Sequence, residues 1–288
     1  MDLRSFVEME HQVGGHTASK SSLKAHDGCI LKPFQSNRRG EREHEFYERV
    51  FVKEKALPEF KGLQALLPAY SGTIVVPEGQ DGGDEEAKTS NGMHSGQYLV
   101  LEDLTWQRQW PCVMDVKMGT RSYEDGATAE KIAYEKSKFP LQDEVGFRIQ
   151  GIKVYDPKKG EYVEFDKHFG RSITSADALA PAFRNYFPAD NTPKTIALLQ
   201  AFLRRLEQFK TWFDEQERAE FIASSFLFLY NGEVSDSDKE DPYAADIRLI
   251  DFAHVTEPIP PKCDEGVRKG IATLLRCFQS LLHEAQSQ

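Results

Sequence analysis

PCVMDVKMGTR, residues 111–121, places Asp115 and Lys117 two positions apart within an apolar, partly β-branched run. Such a run reads as a strand, and the period of two along a strand sends both charged side chains to one face of the sheet. A carboxylate and an ammonium held side by side can address one phosphoryl group. For an isolated pair of this kind the ordinary alternative is a surface ion pair between strands, so the rest of the chain has to decide.

Toward the C-terminus, FIASSFLFLY (221–230) and DIRLIDF (246–252) read as two strands joined by a long hairpin connection, the acidic segment NGEVSDSDKEDPYA (231–244). Within RLIDFAH (248–254), Asp251 ends an apolar run beside Phe252. A lone carboxylate there is costly to bury without a partner or a divalent ion. Magnesium held by one or two carboxylates plus substrate phosphates is the usual arrangement in phosphoryl transfer. A strand-end aspartate that caps the next turn is the plainer account.

Toward the N-terminus, CILKPF (29–34), GTIVV (72–76) and QYLVLEDL (97–104) read as short strands bounded by turn residues. One helix interrupts them, from Glu41 to about Lys55, with Phe46, Tyr47, Val50 and Phe51 at helical spacing. Glu43 lies three and four positions before Phe46 and Tyr47, on the same apolar face, so it points inward and needs a cation. Lys32, in the preceding strand, is placed as the lysine of protein kinases is placed ahead of its helix glutamate. A GxGxxG loop, an HRD-type catalytic loop and an APE motif are all absent from the sequence.

Thr192 and Pro193 read as the N-cap and first-turn proline of the longest helix, about 193–219, and a final helix is expected from Glu265 to Glu284. The Gly-, Asp- and Glu-rich stretch 78–96 reads as a flexible loop. The architecture is therefore α+β and two-lobed. A β-rich N-terminal lobe with one helix covers 1–104 and a C-terminal lobe covers 105–288, with a nucleotide cleft where they join.

The 288 residues include 36 Lys or Arg against 46 Asp or Glu, a net charge of -10, which taken whole disfavours a polyanionic ligand. Residues 117–171, however, carry 11 Lys or Arg against 10 Asp or Glu, so the acidity lies elsewhere, largely in the two loops. The charge thus argues against non-specific nucleic-acid binding and for a small, charge-focused pocket. No apolar run is long enough to span a bilayer, and MDLRSFVEMEHQ (1–12) lacks the features of a secretory signal. Four cysteines without a CxxC pair point to a reducing compartment, cytoplasmic, nuclear or both. A zinc site on His11, His16, His26 and Cys29 matches no standard spacing.

With these pieces assembled, the chain resembles the inositol polyphosphate kinase family, whose PxxxDxKxG motif is met by Pro111, Asp115, Lys117 and Gly119. Ser224 to Leu227 are similar to its SSLL element and Ile250 to His254 to its IDFAH element. HQVGGH (11–16), KPFQSNRRGEREHEFY (32–47), GFRIQG (146–151) and HFGRSIT (168–174) are most similar to the multikinase branch. The resemblance implies a protein-kinase-like two-lobed fold with a short inositol-phosphate-binding helical segment at 120–145, and transfer of the γ-phosphoryl of ATP, with Mg2+, to inositol phosphates.

Position by position, it implies that Lys32 holds nucleotide phosphates and Glu43 supports it, that Glu102 and Leu104 offer backbone groups to adenine, and that Asp115 binds the ribose hydroxyls. Lys117 lies between the γ-phosphate and the attacking hydroxyl, and Asp251 holds the metal. Gln35, Arg39, Lys131, Lys138, Lys167 and His254 match substrate-contacting positions. Thr128 can cap a short helix on which Lys131 and Lys138 share one face, and Arg38 and Arg39 lie near a helix N-terminus, a ready anion site. Tyr134 and Glu135 depart from the amide side chains of related enzymes. Implied substrates are inositol 1,4,5-trisphosphate and inositol tetrakisphosphate, with inositol-lipid head groups at a membrane surface beside them. Inositol hexakisphosphate kinase activity and a non-catalytic scaffold are the alternatives.

Overall fold

The computed structural model describes residues 5–13, 23–77, 95–233 and 243–287. The expected flexible loop falls almost wholly outside the described residues, as do much of the 231–244 connection and His16. In the first half of the chain, β1 (Val7–Glu8), β2 (Lys24–His26) and β3 (Cys29–Pro33) precede helix α1 (Arg39–Phe51), which is followed by β4 (Tyr70–Val76) and β5 (Gly96–Glu102). These strands form a five-stranded sheet in the order β1-β2-β3-β5-β4.

A second five-stranded sheet follows. Strand β6 (Pro111–Met118) leads into helices α2 (Ala129–Lys138) and α3 (Gln142–Val145), then β7 (Phe147–Asp156), β8 (Glu161–Phe165), α4 (Lys167–Arg171) and α5 (Leu179–Phe183). The long α6 (Thr192–Glu215) is followed by β9 (Glu220–Phe221), β10 (Ser225–Asn231), β11 (Asp246–Ile250), β12 (Val255–Thr256) and α7 (Glu265–Gln286). The sheet order is β11-β10-β6-β7-β8, which puts β6, with Asp115 and Lys117, at its centre. Helices α6 and α7 pack against each other, and no helix among the described residues is long and apolar enough to cross a membrane.

Several expected boundaries shift for local reasons. Helix α1 stops at Phe51 rather than Lys55, because Val52 is already extended. The cap of α6 is Asn191, whose side chain accepts the Lys194 N–H, so Thr192 is the first helical residue. FIASSFLFLY is not one strand: it breaks after Phe221, passes through Ala223 at φ 59, and resumes at Ser225. DIRLIDF ends at Ile250, and Asp251 sits in the left-handed region at φ 68.

One apolar core runs through both halves. Phe46 of α1 packs at a tilt 4.5 Å from Phe252 and edge-on 5.7 Å from Phe221, and Tyr47 lies edge-on to Phe252 at 5.2 Å. Burial of one such ring is worth roughly 1.5–3 kcal/mol, so the aromatic that follows Asp251 clamps α1 onto the second sheet. A smaller cluster of Phe6, Leu31, Val76, Tyr98 and Val100 packs the first sheet.

Candidate active site

Three elements meet at Lys32. Its Nζ donates to Glu43 Oε1 at 2.7 Å and to Asp251 Oδ1 at 2.5 Å. Glu43 Oε1 also accepts the Phe252 N–H at 3.1 Å, so the strand lysine, the α1 glutamate and the chain after β11 are tied at one point. Burial alone would lower the Lys32 ammonium, but Asp251 and Glu43 outweigh it and the group is raised. Burial likewise works to raise Asp251, yet Lys32 and Lys117 hold it below the usual carboxylate range.

The left-handed turns flanking this point do specific work. Ala223 directs its carbonyl at Lys117 Nζ, 3.0 Å away, and Ser224 Oγ donates to the Asp251 carbonyl at 2.7 Å. A non-glycine residue held at positive φ costs on the order of 1 kcal/mol or more, and persists where surrounding contacts over-determine it. The two broken strands therefore set the ammonium and the carboxylate.

Asp115 and Lys117 do share a face of β6, as their spacing requires. A register shift between Asp115 and Val116 bulges the pairing with β7 at this point, a device common beside active sites. Asp115 is buried and its Oδ1 has no hydrogen-bond partner among the described residues. Burial, with the charge of Asp251, pushes its carboxyl up to about 7 against the pull of Lys117. Burial lowers Lys117 while Asp251 and Asp115 oppose it. An acceptor left open in this way suits hydroxyl donors such as those of a ribose.

Beyond β5, the Asp103 carboxylate folds the connecting turn by accepting from Thr105 N at 2.8 Å and Thr105 Oγ1 at 2.6 Å. Glu102 spends its side chain on Ala69 N and Arg248, and the Leu104 carbonyl accepts from Arg108 Nε at 2.7 Å.

On the other side of β6, Thr128 caps α2 through the Lys131 N–H, as expected, and Lys131 and Lys138 lie on one face. Between them Glu135 is buried, its Oε1 2.8 Å from Lys131 Nζ and 2.7 Å from Lys138 Nζ. His254 Nδ1 is 2.7 Å from Glu124 Oε1, which also accepts from Arg42 at 2.7 Å. Arg39 turns back onto Ser36, at 3.1 Å from its carbonyl. Among the described residues, neither Gln35 nor the exposed Lys167 makes a side-chain hydrogen bond or ion pair with the other candidates.

The structure thus gathers Lys32, Glu43, Asp115, Lys117 and Asp251, and places Lys131 and Lys138 with Glu135, whose charge acts on Lys117. Sequence reasoning passed over Ala223, Glu124, Arg148 and Arg171. Only the alternation in FRIQGIKVYD (147–156), which builds β7, was a usable signal for Arg148.

A metal ion fits this arrangement. Asp251 spends Oδ1 on Lys32 while its side chain is 42% exposed, which leaves the second oxygen open. No cluster of three or more His, Cys, Asp or Glu side chains among the described residues makes a self-sufficient metal site, so phosphate oxygens would have to complete the coordination.

A two-lobed α+β frame carrying a strand lysine, an inward helix glutamate and a strand-end aspartate defines a kinase-like fold. Residues 98–279 match the family model for inositol polyphosphate kinase. The inositol polyphosphate multikinases of Rattus norvegicus and Homo sapiens are each 34% identical, over 78% and 80% of this chain. The chain spans about half the length of those two relatives, 54% and 52%. Inositol polyphosphate multikinase beta of Arabidopsis thaliana is 30% identical over 96% of this chain and 94% of its own. The crystal structure of an inositol phosphate multikinase from S. cerevisiae, in complex with ADP and Mn2+, superposes with a TM-score of 0.64 at 27% identity, covering 89% of this chain and all of that one. This chain belongs to the inositol polyphosphate kinase family.

Proposed function

We propose that the chain is an ATP-dependent inositol phosphate kinase of the multikinase type. It moves the γ-phosphoryl group to ring hydroxyls of inositol 1,4,5-trisphosphate and of inositol tetrakisphosphate, with Mg2+ as the metal. The observation that carries this reading is the Lys32–Glu43–Asp251 junction, with Lys117 on the adjoining strand and a basic helix face beyond it. The similarity to multikinases, one of them solved with ADP and Mn2+, supports it.

In this mechanism Lys32, fixed by two carboxylates, binds nucleotide phosphate oxygens. Asp115 accepts the ribose hydroxyls, while backbone groups of Glu102 and Leu104 meet adenine. Asp251 offers its open oxygen to Mg2+, which when bound neutralises charge on the phosphates. Lys117 stands between donor and acceptor, where a positive charge stabilises the transferring group. Gln35, Arg39, Lys131, Lys138, Lys167 and His254 hold the inositol phosphate, and transfer is direct, aided chiefly by alignment.

The test incubates the purified chain with magnesium-ATP and a panel of inositol phosphates, with phosphatidylinositol bisphosphate vesicles and inositol hexakisphosphate as further arms, and identifies the product isomers. Conversion of the trisphosphate to tetrakis- and pentakisphosphate is the expected result. Product only from hexakisphosphate, or no ATP turnover at all, overturns the reading.

A further inference from the structure

A cavity of about 600 Å3 opens on the face of the second sheet turned away from Lys117. The register fixes that face. Tyr230 of β10 lies directly opposite Cys112, which is an odd number of residues before Lys117 on β6, and an odd spacing along a strand sends a side chain to the other side. Val154 of β7 falls on that side as well, because its neighbour Lys153 pairs with Val113, and Val163 of β8 pairs with Val154 in turn. Together with Phe165, Phe187 and Pro188 these residues give the cavity an apolar wall, and its size is that of a small-molecule pocket.

One buried charge enters this wall. Lys194 belongs to the first turn of α6, where the Asn191 side chain accepts its N–H, and it shares a helix face with Leu198, four residues on and fully buried. The helix therefore turns the lysine inward, and Lys194 is only 6% exposed. Its Nζ donates to the Gly232 carbonyl and lies 5.3 Å from the centre of the Tyr230 ring and 4.8 Å from that of the Tyr243 ring. Gly232, Tyr230 and Tyr243 all line the cavity, so the ammonium stands at its edge. Burial presses it below its ordinary range, against weaker pulls from Cys112 and Glu233.

The other charges around the cavity are matched. Lys158 pairs with Asp190, Arg184 with Glu284 and Asp156 with Lys159, and Glu233 accepts from Gln109. Among the described residues no carboxylate comes within ion-pair distance of Lys194, whose ammonium carries three donors and spends them on one carbonyl and two ring faces. A buried cation in that state lacks a single anionic oxygen. A phosphate brings more charge than one ammonium can meet and would lose its hydration against an aromatic wall, whereas a carboxylate on an apolar body matches both features. A flat ring suits the Phe and Tyr faces around it.

We infer that this cavity is a binding site for a small aryl-bearing monocarboxylate. The carboxylate pairs with Lys194, and the ring packs between the β7–β8 face and Phe187. Lys194 fixes the ligand's orientation while the apolar wall supplies most of the contact. The sheet stands between this site and Lys117, so the site holds whether or not the chain phosphorylates inositol phosphates.

Calorimetric titration of the full chain with 4-phenylbutyrate, and with its neutral amide 4-phenylbutanamide, tests the site. Wild type binds the carboxylate at least tenfold more tightly than the amide, and Lys194→Met abolishes that preference while the amide binds as before. Ala189→Trp, which fills the cavity from its exposed rim, weakens both compounds at least tenfold. Lys117→Ala, on the opposite face of the sheet, changes neither. Equal affinity of wild type for acid and amide, acid binding unaltered by Lys194→Met, or no binding of either compound overturns the inference. If Lys194→Met does not fold, Ala189→Trp decides, and acid affinity equal to that of wild type overturns the site. A loss in Lys117→Ala with none in Ala189→Trp puts the carboxylate in the catalytic cleft and overturns it as well.

Discussion

The two sides of β6 treat charge in opposite ways. On the paired side, Lys32 is matched by Glu43 and Asp251 within 2.7 Å, and Glu43 is further matched by a backbone N–H. Farther along β6 and on β7 and α4 the pairing is incomplete: Arg148 and Arg171 bury donors that bond nothing among the described residues, and Asp115, on the same strand as Lys117, leaves Oδ1 open. The paired side is ordered before any ligand arrives, so binding there requires little rearrangement. The unpaired groups lack partners that a ligand can supply. Their desolvation weakens the free protein and is relieved on binding, which makes occupancy sensitive to the ligand's shape and charge.

The largest expected effect is at the boundary. Lys117→Ala removes the charge that the proposed mechanism sets between donor and acceptor, while its strand neighbours Val116 and Met118 stay buried, so the fold should persist. Turnover should fall on the order of a hundredfold or more, about 3 kcal/mol of transition-state stabilisation. Steady-state kinetics on the folded variant check this, and near-normal kcat would falsify the role given to Lys117.

The comparison also predicts stability changes of opposite sign. The Asp115 carboxyl, raised to about 7 in the folded protein from 3.8, binds more protons folded than unfolded between those values. Wild-type stability should therefore fall as pH rises from about 4 to 7. Asp115→Asn removes that loss, so the variant should be more stable than wild type by on the order of 2–4 kcal/mol above pH 7, with the difference vanishing near pH 4. Denaturant melts across that range measure it, and a variant less stable than wild type at pH 8 would show that Asp115 is matched after all. Glu43→Gln, on the paired side, should destabilise by about 1–3 kcal/mol and raise KM for ATP, because it weakens a buried, multiply bonded partner. A stabilising Glu43→Gln would erase the distinction between the two sides.

How much of this was legible in the sequence follows the same division. Charges that pair along a helix face or a strand leave a periodic trace, so spacing set Glu43, Asp115 and Lys117 on their faces, while Lys32 was placed by its order ahead of the Glu43 helix. The inward turn of Glu43 toward Lys32 is what that spacing requires. The breaks at Ala223 and Asp251 were not legible, because an apolar run such as FIASSFLFLY contains no glycine or proline to mark a left-handed residue. Arg148 and Arg171 lie in the quoted stretches GFRIQG and HFGRSIT, but their burial depends on α4 folding back onto β7, a tertiary contact without local signature. Asn191 replaced Thr192 as the cap because both residues suit that position and the helix began one residue earlier.

The smallest effect tests how finely the substrate side is balanced. Glu135 holds Lys131 and Lys138 through one carboxylate oxygen, and burial of that carboxyl is outweighed by the two lysines, which leave it below the usual carboxylate range. Neutralising it in Glu135→Gln frees both ammoniums for a phosphate. On stability the change should be small, within about 1 kcal/mol, since pairs three and four apart on a helix surface are worth only a few tenths each and Lys131 is half exposed. On binding, KM for an inositol phosphate should fall a few-fold and its dependence on salt should steepen, because the α2 face gains net positive charge while losing no donor. Kinetics at two ionic strengths read both quantities. A rise in KM would mean that the Glu135 carboxylate itself contacts the ring, as an acceptor for a hydroxyl, and that α2 selects its substrate by an unphosphorylated position as well as by phosphates.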